Sequence, residues 1–313
     1  MTNKNASRTV ISFDCKGSRM AGWHYPAGGN DLRNHNGCPA VVMGHGLSLT
    51  RDCGLPLYAE RFAAAGMHVV VFDYRGFGES EGSAPEVVSA RKQVEDYHAA
   101  LKFIRKLDDV DESRIGVWGT SYSGGIATQC AYEDGNVKAL VIQVPNLDNA
   151  ATGLFMARHL TFTAPIRGLW LVMNTVIDFA CGILGLSPHH VRAMGRKGEW
   201  AAYVNNESMD QIDQIRGPLW KNRLATRDFI SWPFRPIKHV KDIRCRIQIF
   251  AAEKDDLTPF SPAIRAAKIA GARAELHRYP MGHFGIYVGD IFLDAVKKQI
   301  AFLTSELTAD KTR

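Results

Sequence analysis

The chain has 313 residues, of which 46% are hydrophobic and 22% charged, and its formal net charge is +6 at pH 7. These proportions are typical of a folded globular protein and exclude a disordered chain. The lysines and arginines are scattered and form no block of like charge, which argues against nucleic-acid binding despite the basic balance.

The six cysteines stand far apart and form no Cys-x-x-Cys pair and no cysteine-histidine cluster. They are therefore predicted to be reduced thiols, with neither a disulfide framework nor a metal site. The N-terminal stretch MTNKNASRTVISFDC contains no apolar core of signal-peptide length. Together these features predict a cytoplasmic location.

The first predicted element is a hairpin in residues 9–27, TVISFDCKGSRMAGWHYPA, at the edge of a sheet. Strand-like and helix-like stretches then alternate up to Pro145: PAVVMGHG, LYAERFAAAG, MHVVVFDYRG, VVSARKQVEDYHAALKFIRKL, RIGVWGTS, SGGIATQCAYE and VKALVIQVP. Strands separated by helices of ten or more residues predict βαβ crossovers, and hence a mostly parallel sheet with helices on both faces.

The alternation stops after Pro145 and resumes at CRIQIFAAEKDD, which a helix, the strand ARAELHRYP and a terminal helix follow. The segment between is rich in Trp, Phe, Met, Leu and Arg, and it has helical and irregular character without a strand pattern. We therefore predict an α/β core in two parts, residues 1–145 and 237–313, with residues 146–236 inserted between two sheet strands as a helical cap.

One apolar run in the cap, Leu169–Leu186, is long enough to span a bilayer. It contains Asn174 and Asp178, and an aspartate within a membrane is costly. The run is therefore predicted to be a buried or substrate-facing helix rather than a membrane span. An interfacial surface on the cap is the alternative.

The stretch RIGVWGTSYSGG has the pattern of a nucleophile elbow, in which a serine lies on a sharp turn between a strand and a helix. Small residues are required two positions on either side, because larger ones would clash in the strained backbone. Ser121 has Gly119 before it and Ser123 after it at these positions. Centring the elbow on Ser123 would move the nucleophile into the helix, so Ser121 is favoured. A role for Ser121 as a helix cap alone is the structural alternative.

A hydrolase of this kind needs an acid and a histidine after the serine, in that chain order. His283 lies in a glycine-flanked loop that follows the last predicted strand and precedes the terminal helix. The stretch IQIFAAEKDDLTP supplies the acid, and within it Asp255 is favoured over Asp256. Asp148, after the preceding strand, is a further option.

Acyl chemistry also requires N–H donors for the oxyanion. The backbone N–H groups of Tyr122, which follows the nucleophile, and of Leu47, in the loop after VVMGHG, are the predicted pair. Asp73, which follows another buried strand, is interpreted as structural and is expected to organise the Arg75–Gly76 turn through bonds to the backbone. Because Ser121 occupies the elbow, an acidic nucleophile of the dehalogenase and epoxide-hydrolase kind is excluded.

The cap is expected to fold over the carboxyl ends of the strands, where open α/β sheets bind ligands. Its aromatic residues suggest a hydrophobic acyl or aromatic substrate: Phe155, Trp170, Phe179, Trp200 and Trp220. Packing of the cap on the core is an equally good explanation for each of them.

Four motifs in order resemble the successive motifs of the α/β-hydrolase superfamily, and the resemblance covers nearly the whole chain: HGLSLTRDCGLPLYAERFAAAGMHVVVFDYRGFGESEG, QVEDYHAALKFIRKLDDVDESRIGVWGTSYSGG, AAEKDDLTP and MGHFGIY. Within the superfamily the chain is similar to polyketide transferase-like hydrolases, and its elbow also resembles those of X-prolyl peptidases and cocaine esterases. The resemblance implies that Ser121 is the nucleophile and His283 the base. Ser123 departs from the usual glycine, and reaction type stays open.

The sequence therefore predicts a serine hydrolase that cleaves an ester or thioester of a hydrophobic small molecule through an acyl-enzyme on Ser121, without a metal or organic cofactor. Three alternatives remain: an acyltransferase that passes a polyketide or similar group to an alcohol, a peptidase or amidase, and a non-catalytic receptor on the same fold. The sequence favours no oligomeric state.

Overall fold

The computed structural model describes residues 8–227 and 234–308, with the side chains of 159–163 left out. Its strands in chain order are β1 (Thr9–Cys15), β2 (Ser18–Tyr25), β3 (Cys38–Gly44), β4 (His68–Phe72), β5 (Val110–Thr120), β6 (Ala139–Gln143), β7 (His190–Arg192), β8 (Met194–Gly195), β9 (Tyr203–Val204), β10 (Arg223–Ala225), β11 (Arg246–Ala252) and β12 (Ala274–Tyr279). The α-helices are α1 (Leu55–Ala64), α2 (Ala90–Ile104), α3 (Tyr122–Asp134), α4 (Asn149–Thr163), α5 (Pro165–Ile183), α6 (Asn206–Ile215), α7 (Phe260–Ala270) and α8 (Gly289–Leu307).

Eight strands form one central sheet in the order β1-β2-β4-β3-β5-β6-β11-β12. The predicted hairpin is confirmed, since β1 and β2 pair antiparallel at the sheet edge, and β2 also runs antiparallel to β4. All other neighbours in the sheet are parallel. Every residue of β3, β4 and β6 is buried, which explains why these strands read as continuous apolar runs rather than as alternating ones.

Helices cover both faces of the sheet. Helices α1 and α8 contact each other on one face, and α2 packs against α3 on the other. The 3-10 helix Pro236–Asp242 contacts both α3 and α7, which continues this second layer. The result is the three-layer α/β-hydrolase architecture that the sequence predicts, with the carboxyl ends of the parallel strands at one edge.

The segment between β6 and β11 forms the cap, although these two strands are direct neighbours in the sheet. It contains α4, α5 and α6, as predicted, and also two small two-stranded sheets, β7 with β10 and β8 with β9. The sequence pattern predicts no strands in this segment. Each of these strands is only two or three residues long, so none can display an alternating pattern.

In the part of the chain that the structure describes, α5 is the one helix that is long and apolar enough to cross a membrane, judged by length and composition alone. The sequence predicts a buried or substrate-facing helix, and the buried alternative is wrong, because Asp178 is the only residue of α5 that is fully buried. Leu171 lines the internal cavity, whereas Ile166, Leu169 and Ile183 are more than 60% exposed. The apolar run therefore has two sides: Leu171 and the polar side chains face the protein, and most of the aliphatic side chains face outward.

Candidate active site

Ser121 lies at the turn between β5 and α3, with φ 54° and ψ −122°. A non-glycine residue in this region is strained and persists only where its surroundings hold it. Here the Ser121 N–H donates to the Gln143 carbonyl at 2.9 Å, and the Ser121 carbonyl accepts from Gly124 and Asn146 at 2.9 and 2.8 Å. These bonds to the next strand end, to the helix and to the following loop fix the elbow.

Gly119 and Ser123 are small because the chain crosses itself closely at this turn. A Cβ atom on Gly119 would clash with the Ser123 backbone and lie 2.8 Å from the Ala127 side chain. Ser123 is fully buried, and its hydroxyl lies 2.6 Å from the Tyr74 hydroxyl. The structure therefore places Ser123 behind the elbow and Ser121 at the cavity.

The structure brings Ser121, His283 and Asp255 together from three separate loops. The Ser121 Oγ to His283 Nε2 distance is 2.9 Å, and the His283 Nδ1 to Asp255 Oδ2 distance is 2.7 Å. Asp255 also accepts from the N–H groups of Leu257 and Thr258 and from the Thr258 hydroxyl, all within 2.9 Å. This arrangement orients one carboxylate oxygen toward His283 and gives the geometry of a nucleophile, base and acid.

The two alternative acids point elsewhere. Asp256 accepts from the Tyr203 hydroxyl at 2.5 Å and from the Asn205 amide at 2.7 Å, so it joins the core to the cap. Asp148 pairs with Arg235 at 2.8 Å and Arg265 at 3.1 Å. These arginines help to hold the pKa of Asp148 below its usual range, against the opposing effect of burial.

Asp73 is structural in this fold, but its partners differ from the predicted ones. Its carboxylate pairs with the Arg51 guanidinium and accepts from the N–H groups of Arg51 and Glu79. The Arg75 N–H instead donates to Asp96. Burial raises the pKa of Asp73 to about 6, despite the opposing effect of Arg51.

The loop that carries Leu47 passes directly beside Ser121. A Cβ atom on Gly46 would lie 3.4 Å from the Ser121 Cβ, and Leu47 and Tyr122 both line the cavity at Ser121. Buried His45 fixes this loop, because its Nδ1 lies 3.0 Å from the Gly46 carbonyl and its Nε2 accepts from the Tyr74 N–H at 3.4 Å. Burial lowers the pKa of His45 to about 4.

The cavity above Ser121 has a volume of about 290 Å³ and is mostly apolar. The cap contributes both polar and apolar residues to the lining: Asn146, Asn149, Thr152, Gly153, Met156, Leu171, Ala193, Met194, Ala202, Tyr203 and Leu224. None of the five predicted cap aromatics is among the lining residues that the structure describes. Trp170 and Trp220 pack against the core, as the packing explanation expects, and Trp200 and Phe179 are exposed. These cap residues therefore give no support to an aromatic substrate.

The sequence profile of the family described as serine aminopeptidase, S33, matches residues 38–286, which include every element of this site. The chain belongs to the serine aminopeptidase S33 family of α/β-hydrolases. It is therefore an enzyme of the hydrolase or acyltransferase class.

Relatives of this α/β-hydrolase carry different activities in their names. The quorum-quenching protein AidA of Acinetobacter baumannii is 33% identical over 85% of this chain and 86% of that one. The thiohydrolase aneE of Aspergillus aculeatus is 25% identical over 98% and 96%, and the polyketide transferase af380 of Aspergillus fumigatus is 34% identical over 96% and 99%. These relatives share the family but not the reaction, so the reaction of this chain has to be inferred from its site.

A solved structure shares the whole architecture of this α/β-hydrolase. The crystal structure of the α/β-hydrolase GrgF from Penicillium sp. sh18 has a TM-score of 0.77 and 22% sequence identity, and the match covers 97% of this chain and 100% of that one. At this identity the likeness supports the fold alone.

Some residues of the site are not found by sequence reasoning. Thr258 bonds Asp255 and lies 3.5 Å from His283 Nδ1, and Tyr287 donates to Thr120 at 2.9 Å beneath the elbow. Thr258 follows Asp255 by three residues in the same loop, and this spacing could have identified it. Nothing in the local sequence identifies Tyr287, because only the fold brings it to Thr120 at the end of β5.

One further group of side chains could hold a metal ion among the described residues. It consists of Cys38, His68 and Asp109, whose ligand atoms lie within 4.8 Å of one another. Cys38 and His68 begin β3 and β4, whereas Ser121 follows the end of β5, so this group lies at the opposite edge of the sheet. Asp109 is already paired with Arg33.

Proposed function

We propose that this protein is a serine hydrolase that cleaves an ester or thioester of a hydrophobic small-molecule acyl group through an acyl-enzyme on Ser121. The observation that carries the proposal is the chain of contacts from Ser121 Oγ to His283 at 2.9 Å and from His283 to Asp255 at 2.7 Å. These contacts lie at one end of a mostly apolar cavity.

In the first step His283 Nε2 accepts the hydroxyl proton while Ser121 Oγ bonds to the substrate carbonyl carbon. Asp255 holds the Nδ1–H tautomer and stabilises the imidazolium that forms. The N–H groups of Tyr122 and Leu47 donate to the oxyanion, and a donor of this kind contributes about 3–4 kcal/mol in the transition state. His283 then protonates the leaving alcohol or thiol, and a water activated by His283 resolves the acyl-enzyme.

The cavity favours an acyl group without charge. Its volume of about 290 Å³ is just below the ~300–1,000 Å³ typical of small-molecule sites, which favours a small acyl group. The lining residues Met156, Leu171 and Leu224 would contact an alkyl chain. A thioester leaving group agrees with the thiohydrolase name of one relative, which supports its inclusion in the substrate class.

An acyltransferase is the second candidate, because a dry cavity would slow hydrolysis of the acyl-enzyme and allow an alcohol to compete with water. The polyketide transferase name of another relative favours it. Product analysis with and without an added alcohol separates the two, since a transferase forms the new ester and a hydrolase forms the free acid. Turnover of an amino-acid p-nitroanilide would instead indicate a peptidase.

The proposal is tested with a fluorophosphonate probe, p-nitrophenyl hexanoate and hexanoyl-CoA, on wild type and on Ser121→Ala and Ser123→Ala. We expect Ser121→Ala to abolish labelling and to lower kcat by about 10⁴- to 10⁶-fold. Ser123→Ala is the matched control and should still label. Equal labelling of the wild type and Ser121→Ala would overturn the proposal, and a wild type inert to all three reagents would favour a non-catalytic receptor.

A further inference from the structure

Helix α5 is oriented with polar side chains toward the protein and large apolar side chains toward solvent, the reverse of an ordinary surface helix. Its polar side chains face the protein: Asn174 bonds His189 at 2.8 Å, and Thr175 accepts from Thr226 at 3.0 Å. Asp178 is fully buried and pairs with Arg227 at 2.8 Å. These inward contacts fix the rotation of α5, so its apolar side chains cannot turn toward the core.

The outward face of α5 carries an uninterrupted apolar stripe. We define the outer stripe as Ile166, Leu169, Met173, Val176, Ala180 and Ile183, all of which are exposed. Its large members are 56–74% exposed. The spacing of three, four, three, four and three residues is a heptad pattern, which is the pattern of helices that pair with another helix.

The exposed area is large for a free surface. The outer stripe and its apolar neighbours Val172, Ile177, Leu184 and Leu186, which are 45–70% exposed, together present on the order of 1,000 Å². The largest patch on a typical monomer is ~300–600 Å². Each partner of a standard protein interface contributes about 800 Å², so this face is sufficient for a stable dimer.

Charge argues for a second protein copy over a lipid surface. Helices that lie in a membrane interface combine an apolar face with a polar face rich in Lys and Arg. Arg167 and Asp178 are the only charged residues of α5, and Asp178 is held by Arg227 inside the protein. A spanning orientation would separate this pair and place a lone aspartate in the bilayer, which is costly.

We propose that the outer stripe forms a symmetric homodimer in which the α5 helices of two copies pair antiparallel across a two-fold axis. The axis passes between Met173 and Val176, so that Met173 faces Val176, Leu169 faces Ala180 and Ile166 faces Ile183 across it. An uncharged stripe can meet itself without electrostatic repulsion, and antiparallel pairing aligns the helix dipoles favourably. The dimer would support the cavity wall from outside, since Leu171 of the same helix lines the cavity.

The test is sedimentation velocity over a range of protein concentrations, with circular dichroism to confirm folding. We expect the wild type to sediment at twice the chain mass of 34.7 kDa. Leu169→Glu should raise the dissociation constant about 100-fold or more, because it places a charge in each half of the interface. Leu293→Glu is the matched control, because Leu293 is a 54% exposed leucine on α8, and it should remain dimeric.

The helix orientation is tested by mixing Ile166→Cys with Ile183→Cys under mild oxidation. Antiparallel pairing predicts a cross-link in the mixture that exceeds the cross-link of either variant alone. A monomeric wild type, or a Leu169→Glu protein that dimerises as tightly as the wild type, would overturn the proposal. So would a monomer that co-sediments with phosphatidylcholine–phosphatidylglycerol vesicles in a manner that depends on Leu169, since the bilayer would then be the partner.

Discussion

Asp255 and Asp256 are adjacent in the chain and have opposite surroundings. Asp255 accepts from His283 and from the loop around Thr258, whereas Asp256 accepts from Tyr203 and Asn205 of the cap. The two residues form a natural pair for mutation, because Asp→Asn preserves shape at each position while removing the charge.

We expect Asp255→Asn to lower kcat for p-nitrophenyl hexanoate by about 10⁴-fold. The amide stabilises the wrong tautomer of the His283 imidazole, and it cannot stabilise the imidazolium that forms during the reaction. Asp256→Asn keeps the shape of its contacts with the cap, so its effect on kcat should stay below about tenfold. Steady-state kinetics of the two variants checks this. A larger loss of kcat in Asp256→Asn than in Asp255→Asn would reassign the acid.

His45 predicts a specific pH dependence of stability. Its pKa falls from an ordinary value near 6.5 to about 4 because it is buried. Between these two values the unfolded chain binds a proton at His45 that the folded chain does not. Folding stability therefore decreases as pH falls from about 6.5 to about 4, by roughly 2–4 kcal/mol for this group.

Urea unfolding of the wild type and His45→Asn at pH 7.0, 5.5 and 4.5 measures this contribution. The wild type should lose more stability across the series than the variant, because asparagine does not titrate. Curves of unfolding free energy that run parallel in the two proteins would show that His45 does not bear the predicted shift.

Helix α3 illustrates how an element positions Ser121, the proposed nucleophile. It begins directly after Ser121 and packs so closely on the loop after β6 that a Cβ atom on Gly125 would clash with the Asn146 carbonyl oxygen. Gly153, by contrast, lies in α4 with open space around its Cβ position. The same substitution in two helices is therefore expected to have opposite effects.

Gly125→Ala should destabilise the protein by about 1–3 kcal/mol through overpacking and lower kcat, because α3 and Ser121 would shift together. Gly153→Ala should raise stability by about 0.5–1 kcal/mol, since alanine favours a helix. Thermal unfolding and esterase kinetics of both variants test the pair. Similar stability changes of one sign would show that the close packing at α3 does not decide the effect.

At the scale of the whole molecule, the cap is bound to the core by a cluster of charges around Glu86. This buried carboxylate pairs with His190 at 3.3 Å, Lys221 at 3.2 Å and Arg223 at 2.8 Å, all three from the cap. The Ala225 N–H also donates to the Glu86 carbonyl at 3.1 Å. Because the cap lines the cavity, these contacts connect cap position to substrate binding.

Glu86→Gln should weaken the contacts to these partly exposed cap side chains and loosen the cap, because hydrogen bonds to a charged group contribute about 1.5–3 kcal/mol. We expect faster tryptic cleavage within residues 146–227. The KM for p-nitrophenyl hexanoate should rise about tenfold, and the KM for p-nitrophenyl acetate should rise less. Glu253→Gln, at an exposed pair with Arg278, should change neither, as exposed pairs contribute about 0–1 kcal/mol. Equal cleavage of both variants would contradict this role.

The sequence alone determines the central sheet, the elbow and the chain order of the residues around it. Continuous apolar runs such as β3 and β6 identify buried parallel strands, because both of their faces are covered. The sharp turn at Ser121 is readable because strained backbone demands small neighbours at Gly119 and Ser123. His283 and Asp255 can be predicted because each follows a strand, and the loops after parallel strands lie at the same edge of the sheet.

The tertiary structure decides what depends on which side of an element meets the rest of the chain. The apolar run predicted a buried or substrate-facing α5, yet Asn174, Thr175 and Asp178 face inward and most aliphatic side chains face out. These polar groups find their partners only in the folded cap. The same reason explains why methionine and leucine, rather than the cap tryptophans, line the cavity. The local sequence gives the residue types and their spacing along an element. Which side of that element faces the protein is set by partners that are distant in the chain.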